Sequence, residues 1–483
     1  MRRVFAWFRS HPLTTICLVL IGCAVGTHLL ANWRAEVRWQ RYCAAARARG
    51  VKLTLAEFAP PEIPDAENFA KIPMLRAAFA PGAQSPFKLP RPHGKGPPAY
   101  NYAKGERIDF QAWANFFRDA GFISQTSNVP PRDVLLALEH YAPQFQEWSE
   151  WRSRPHCQFP VHLDASGWPR MPNYDIFSSA YQIFTLRMRA HLAVGDSAAA
   201  LSDFQDGLQA YRAFENTSSL VGSALRMGLL AVLCSQLGES LAQPGWADAE
   251  LRQTQEVLAT VNEWKDYRQG LSAERTMDNS LYDKLAQSPA ERRRLSPMML
   301  FPAAASWKNT AFGLIPSRVF RDNQLRQNQC LDEQLAKVSA DELHFDPDRA
   351  APSDPENLKG YLDDYYFYFC KLFAAATSAI ANQSVSIQTR LDQTQLAVAL
   401  ERFRLAHGAF PEQLAELVPD FIAKVPVDTY SRQPMTYHRK EGGTFLLYGV
   451  GKNRVDDGGV SDAKGSDGER LDFIWLYAPP PSK

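Results

Sequence analysis

Five aspartates fall within 17 residues near the C-terminal end: Asp456, Asp457, Asp462, Asp467 and Asp472, in the stretch VDDGGVSDAKGSDGERLD. Carboxylates at this density repel one another. Lys464, Glu469 and Arg470 are the other charges between Asp456 and Asp472. A divalent cation would relieve that repulsion, and calcium, which takes about six to eight oxygens in flexible geometry, suits carboxylates and loop carbonyls. The EF-hand spacing is absent, and a glycine-rich acidic loop is also what a merely solvated turn looks like. Residue types alone leave calcium and solvation both open.

Other chemistry-bearing residues are more scattered. His156 and Cys157, with His162 and Asp164 nearby, are metal-ligating types in a loop flanked by Pro155 and Pro160. They lack the i, i+4 spacing that sets two ligands on one helix face, so a polar inter-helix loop is expected. Glu274 and Arg275 are adjacent in a predicted helix and are expected to serve an intra-domain ion pair. YYFYFC, residues 365–370, is aromatic on every side and reads as core. No G-x-S-x-G, Walker loop, H-E-x-x-H or dinucleotide fingerprint occurs, so no motif points to an enzyme. Catalytic residues are therefore unassigned. The seven cysteines include no C-x-x-C pair, which predicts buried thiols rather than a zinc site or a disulfide framework.

The bulk numbers describe an ordinary globular chain of more than one domain: 483 residues, 45% hydrophobic and 22% charged. Its 53 basic and 52 acidic residues leave no basic excess, which argues against nucleic acid as a partner. From Pro12 to Ala31 the chain carries no Asp, Glu, Lys or Arg, the length of one bilayer span, with Trp7, Phe8, Trp33 and Trp39 at its flanks. Residues 1–31 are therefore read as a cytoplasmic tip and single transmembrane helix. The rival is a lipoprotein signal, since Leu20-Ile21-Gly22-Cys23 fits a lipobox with Cys23 as the acylated residue. Arginines lie on both sides of the span, so charge does not orient it.

Residues 32–57 read as a membrane-proximal basic helix, and 58–107 as an extended connector, because ten prolines fall between 58 and 102. Residues 108–385 have helical periodicity. Two apolar stripes between Ile183 and Tyr211, broken by Gly195-Asp196, predict an antiparallel helical hairpin. A nearly continuous apolar helix through Leu220, Ala231 and Leu241 follows. Later helices are expected at 249–266, 270–287, 317–338 and 356–382. MLFPAAASW, residues 299–307, is too short and proline-broken to be a second span.

Residues 386–483 change character. RLDQTQLAVALERFRLAHG places Leu396, Leu400 and Phe403 on one helical face and stops at Gly408. FPEQLAELVP reads as a short helix with Pro411 at its first position. MTYHRK and TFLLYGV, joined through Glu441-Gly442-Gly443, read as a β-hairpin, and LDFIWLY as a further strand.

These last segments, in this order from Leu396 to Trp475, resemble the globular part of the major pseudopilin of type II secretion. The resemblance covers about 80 to 90 residues. The whole chain also looks like membrane-anchored bacterial proteins that end in such a module. The resemblance implies an α+β module, calcium held by Asp456, Asp457, Asp462, Asp467 and Asp472, and a place outside the cytoplasmic membrane. It departs from the family at the N-terminus, where no peptidase site precedes the apolar run and roughly 350 residues separate that run from the module. Pseudopilus assembly by helix packing is therefore not expected.

The sequence thus predicts a mainly α chain with a transmembrane helix, a multi-helix domain and a small C-terminal α+β module. The expected role is protein binding or scaffolding in the cell envelope, with other envelope proteins as partners and the bulk of the chain periplasmic. An extracytoplasmic hydrolase and an accessory part of type II secretion are the alternatives.

Overall fold

Pro12 lacks the amide hydrogen that a first helical residue leaves unpaired anyway, and it opens α1, a single helix from Pro12 to Ala48. The computed structural model describes residues 11–59, 61–76, 84–99, 106–159, 173–215, 219–299, 306–339, 344–346, 348–349, 366–460, 472–475 and 477. The first 20 residues of α1 stand clear of the folded body, with Leu13, Val19, Leu20 and Leu29 all more than half exposed. Their mean hydropathy reaches 2.1, and none of that window is buried. At 1.5 Å per residue they extend about 30 Å, a bilayer's hydrocarbon thickness. This helix is long and apolar enough to span a membrane, a property that an N-terminal signal sequence shares.

Beyond that stretch the same helix becomes part of the body. Ala35, Trp39, Cys43 and Ala46 recur at helical spacing and are buried. The basic helix expected from residue 32 is thus a continuation of the apolar one, and two of the segment's arginines tie it to α13: Arg38 meets Asp322 at 2.6 Å and Arg49 meets Asp332 at 2.9 Å. A short α2 (Leu55–Phe58) follows, capped by Thr54. The proline-rich segment is more than an extended connector. Its 3-10 turns at 65–67, 69–71 and 73–75 bury Phe69, Ile72 and Leu75, and Phe87 is likewise fully enclosed.

The helical body comprises α3 (Phe110–Asp119), α4 (Pro130–Leu138), α5 (Ala142–Trp151), α6 (Tyr174–Ala193) and α7 (Ser197–Arg212). It continues with α8 (Leu220–Leu241), α9 (Asp248–Leu258), α10 (Glu263–Gln287), α11 (Pro289–Met299), α12 (Ser306–Gly313) and α13 (Ser317–Ala336). The α6–α7 hairpin turns where the sequence signals it. Gly195 takes φ +85°, and Asp196 caps α7 by accepting from the Ala199 amide at 2.9 Å. α8 is apolar enough to pass as a span by composition, yet half of its window is buried as a core helix. The expected helices at 249–266 and 270–287 divide differently. Asn262 caps a new start, accepting from the Lys265 amide at 3.0 Å, so α10 runs unbroken from Glu263.

The longest element is α14, 40 residues from Tyr368 to His407, ending at Gly408 in the left-handed conformation. It passes without interruption through residue 385, where the sequence places a domain boundary. The expected helix at 356–382 begins in a segment, 356–365, outside the described residues. After α14, Pro411 lies before a 3-10 turn at Leu414–Leu417 instead of opening an α-helix. Strands β1 (Thr436–Lys440), β2 (Thr444–Val450) and β3 (Asp472–Trp475) form an antiparallel sheet in sequence order, with Tyr437 opposite Leu447 and Leu447 opposite Trp475. The fold is mainly helical with this one small sheet among the described residues. Leu396, Leu400, Leu447 and Trp475 belong to the same buried cluster as Phe184, Leu208 and Leu233. The C-terminal residues therefore complete the main core.

Candidate functional site

Asp472 is the first residue of β3, paired with Val450, and is 4% exposed. Its Oδ2 accepts from the Gly459 amide at 2.9 Å and the Asp457 amide at 3.2 Å, folding the acidic loop back onto the sheet edge. Asp456 does similar work: its Oδ1 accepts from the Tyr448 hydroxyl at 2.8 Å and the Gly458 amide at 2.9 Å. Gly459 has φ +61°, and a Cβ there would come within 2.7 Å of the Tyr448 ring, so this turn needs glycine. Asp457 accepts from Asn453 Nδ2 at 2.8 Å.

Three of the five candidate aspartates are thus brought together, while Asp462 and Asp467 lie outside the described residues. Burial raises the Asp472 carboxyl above the usual carboxylate range, and the charges of Asp457 and Asp456 push the same way. Its Oδ1 is buried without a hydrogen-bond partner, a position where a cation would be favoured. No group of three His, Cys, Asp or Glu side chains arranged to hold a metal occurs among the described residues. The acids at hand fit calcium in type and orphaned oxygen, not in number.

The other sequence candidates go separate ways. His156 pairs its backbone with the connector: its carbonyl accepts from the Phe69 amide at 2.7 Å, and its amide donates to Glu67 O at 3.2 Å. Cys157 is buried, and burial pushes its thiol up. His162 and Asp164 lie outside the described residues. Glu274 and Arg275 point to different partners. Glu274 Oε2 accepts from the Leu220 amide at 3.0 Å, at the start of α8, whereas Arg275 reaches Asp332 at 2.7 Å. Cys330 and Cys370 are both buried, their sulfurs 3.9 Å apart across α13 and α14.

Sequence reasoning missed a set of interior acids. Glu263, fully buried at the start of α10, is pushed up to about 8 by burial and by Asp266, eased by the Ser384 hydroxyl and Arg226. Asp266 accepts from the Tyr211 hydroxyl at 2.5 Å and pairs with Arg226 at 2.7 Å. Burial raises Asp203 to about 7 and Asp206 to about 6, against the pull of Arg187 and Arg152. Perturbed acids often mark catalytic sites, but Asp203, Asp206 and Asp266 pair with Arg187, Arg152 and Arg226, as in structural ion-pair networks, while both carboxyl oxygens of Glu263 are buried without a hydrogen-bond partner. No local pattern announces them, because each partner comes from another helix.

A concavity of about 620 Å³ opens where the end of α8, the end of α14 and the β1–β2 hairpin meet. Arg404, Phe410, Glu412, Arg439, Lys440 and Tyr477 help line it. Arg404 is held by Glu401 at 2.6 Å, and Arg439 by Glu412. No protein-family model, curated protein or solved structure matches this chain.

Proposed function

We propose that this chain is a single-pass protein of the bacterial cell envelope that binds other envelope proteins or scaffolds them, with α1 crossing the cytoplasmic membrane and the bulk of the chain periplasmic. The observation that carries this reading is α1 itself. One helix supplies both a span-length apolar stretch outside the body and a segment packed into it, so the apolar stretch and the body are joined without a linker. Cys23 lies inside that helix, which favours an uncleaved anchor over the lipoprotein alternative. The likeness of residues 396–475 to the pseudopilin globular part favours the periplasmic side. It also supports calcium in the acidic loop, with Asp456, Asp457, Asp462, Asp467 and Asp472 as the candidate ligands. An accessory role in type II secretion is a narrower form of the same proposal. The concavity between α8, α14 and the hairpin suits a peptide segment of a partner, since apolar Phe410 and Tyr477 adjoin charged side chains. The interior acids are enclosed, which gives a hydrolase less support.

The test combines topology with capture. Protease added to spheroplasts should degrade the large domain, and tagged protein from solubilised membranes should co-purify with envelope proteins. Full protection of the domain in sealed cells would overturn the orientation.

A further inference from the structure

α1 and α13 are held in a fixed register. Asn32 Oδ1 accepts from the Arg318 amide at 3.1 Å, Glu36 meets Arg321 at 2.7 Å, and Arg38 meets Asp322 at 2.6 Å. Farther on, Tyr42 donates to Asp332 at 2.9 Å. Residue numbers rise together along both helices, so they run parallel. Asn32 immediately follows the exposed 20-residue apolar stretch. The chain just before α13 therefore projects back toward the level at which α1 leaves the body.

α10 closes the same end from the other direction. Gln327 donates to Asp278 at 3.1 Å, and Arg321 reaches Asp283, so α10 is antiparallel to α13 and ends at this level. Arg292, at the start of α11, ties the end together: it donates to Leu285 O at 2.6 Å and to Ile315 O at 2.7 Å. Beneath lies a separate apolar cluster of Leu281, Leu285, Leu295, Phe312, Phe320 and Phe369. α14 begins here too, since Asn323 donates to Tyr366 O at 2.6 Å.

This end turns apolar and basic side chains outward. Leu314 is 78% exposed at the tip of the α12–α13 turn, and Tyr368 is 44% exposed at the start of α14. Arg293, whose side chain lies beside Gly313, is exposed, as is Arg34 two residues after Asn32, whereas Arg294 is exposed but paired with Glu291 at 2.7 Å. Leu314 is four residues before Arg318, so it lies within about 14 Å of Arg318 at extended-chain reach, and the Arg318 amide is bonded to Asn32 at the end of the apolar stretch. A lone exposed leucine needs no explanation, but an apolar tip, an aromatic ring and arginines at the depth of the headgroups form an interfacial set.

We infer that this end, with Leu314 at its tip and Arg34 and Arg293 as its exposed cations, is a second membrane contact that rests on anionic phospholipid headgroups beside the exit of α1. The inference rests on the reading of α1 as a membrane span. A two-point contact fixes the tilt of the body, which a single helix crossing would leave free. The attraction of the arginines falls off within a Debye length, so they act only if the end lies at the surface.

The test uses the full-length chain with Cys17→Ala and Cys23→Ala, reconstituted in phosphatidylethanolamine–phosphatidylglycerol vesicles. A thiol-reactive fluorophore is placed singly through Val19→Cys, Leu314→Cys or Val455→Cys, and quenched by acyl-chain spin labels, headgroup spin labels or aqueous iodide. Expected are chain-label quenching at 19, iodide quenching at 455, and headgroup-label quenching at 314 several-fold above that at 455. If 19 is in the bilayer while 314 behaves like 455, the surface contact is refuted and the span stands. If 19 is itself quenched by iodide, the span fails and the contact falls with it.

Discussion

Trp475 of β3 lies against Gly238 of α8 so closely that a Cβ at 238 would sit 2.6 Å from the indole Cζ2. This contact joins the C-terminal sheet to the central helix of the body. Gly238→Ala should therefore destabilise the protein, by about 1–3 kcal/mol for an overpacked core, despite the roughly 1 kcal/mol that alanine gains in helix propensity. Gly228, on the same helix, has nothing within 4 Å of its would-be Cβ. Gly228→Ala should stabilise by about 0.5–1 kcal/mol. Denaturant titration of the two variants separates the effects, and equal shifts would refute the contact's role.

Asp332 is the hub that fastens α1. It accepts from Tyr42 and Arg49, each at 2.9 Å, and pairs with Arg275, whose side chain is 1% exposed. Removing the carboxylate leaves a buried guanidinium uncompensated, a loss of about 3–5 kcal/mol. Asp332→Ala should lower stability by that order and expose residues 50–59 to protease. Unchanged cleavage there would show that apolar packing of Trp39, Cys43 and Ala46 suffices to hold the helix.

Glu263 predicts a pH dependence with a definite sign. An ordinary glutamate ionises near pH 4.5, whereas burial raises Glu263 to about 8. Between those values the folded state binds the extra proton, so stability is greatest below the lower value and falls as pH rises to about 8. Glu263→Gln removes that slope, on the order of 1 kcal/mol per pH unit. Melting temperatures of wild type and variant should diverge between pH 5 and pH 8, with the variant relatively more stable at the higher pH. Parallel curves would mean that Glu263 is charged in the folded state.

Much of the architecture was legible in the residues, and the illegible parts have physical causes. The apolar N-terminal helix announces itself by 20 residues without charge, and the hairpins by Gly195-Asp196 and Glu441-Gly442-Gly443. α14 does not read as one helix because Thr377, Ser384 and Thr389 interrupt its apolar period while being fully or almost fully buried. Two of their hydroxyls find partners on other elements: Thr389 donates to Thr429 at 3.1 Å, and Ser384 to the Met227 sulfur at 3.6 Å. The connector misleads in the opposite sense, since its prolines forbid long helices but leave Phe69 and Phe87 free to enter the core. Of the acidic loop, its return onto β3 through Asp472 depends on strand pairing that sequence spacing does not specify.

The same loop yields a prediction about metal. Calcium bound only by the folded chain would add RT ln(1 + [L]/Kd), about 2.7 kcal/mol at a hundredfold excess over Kd. The full-length protein should melt a few degrees higher with calcium than with chelator. Asp457→Asn combined with Asp467→Asn should erase the difference while leaving the melting temperature in chelator nearly unchanged. Superimposable curves for the wild type would make the loop a solvated turn.

The length of α14 has a mechanical consequence. Its 40 residues extend roughly 60 Å from Tyr368, beside the start of α13, to Gly408 beneath the sheet. A tug on the sheet by a bound partner would run down one hydrogen-bonded column toward the end where α1 is clamped. If α1 crosses a membrane as proposed, tension applied at the sheet would arrive there as a force on α1, making the molecule a lever whose fulcrum is the bundle end.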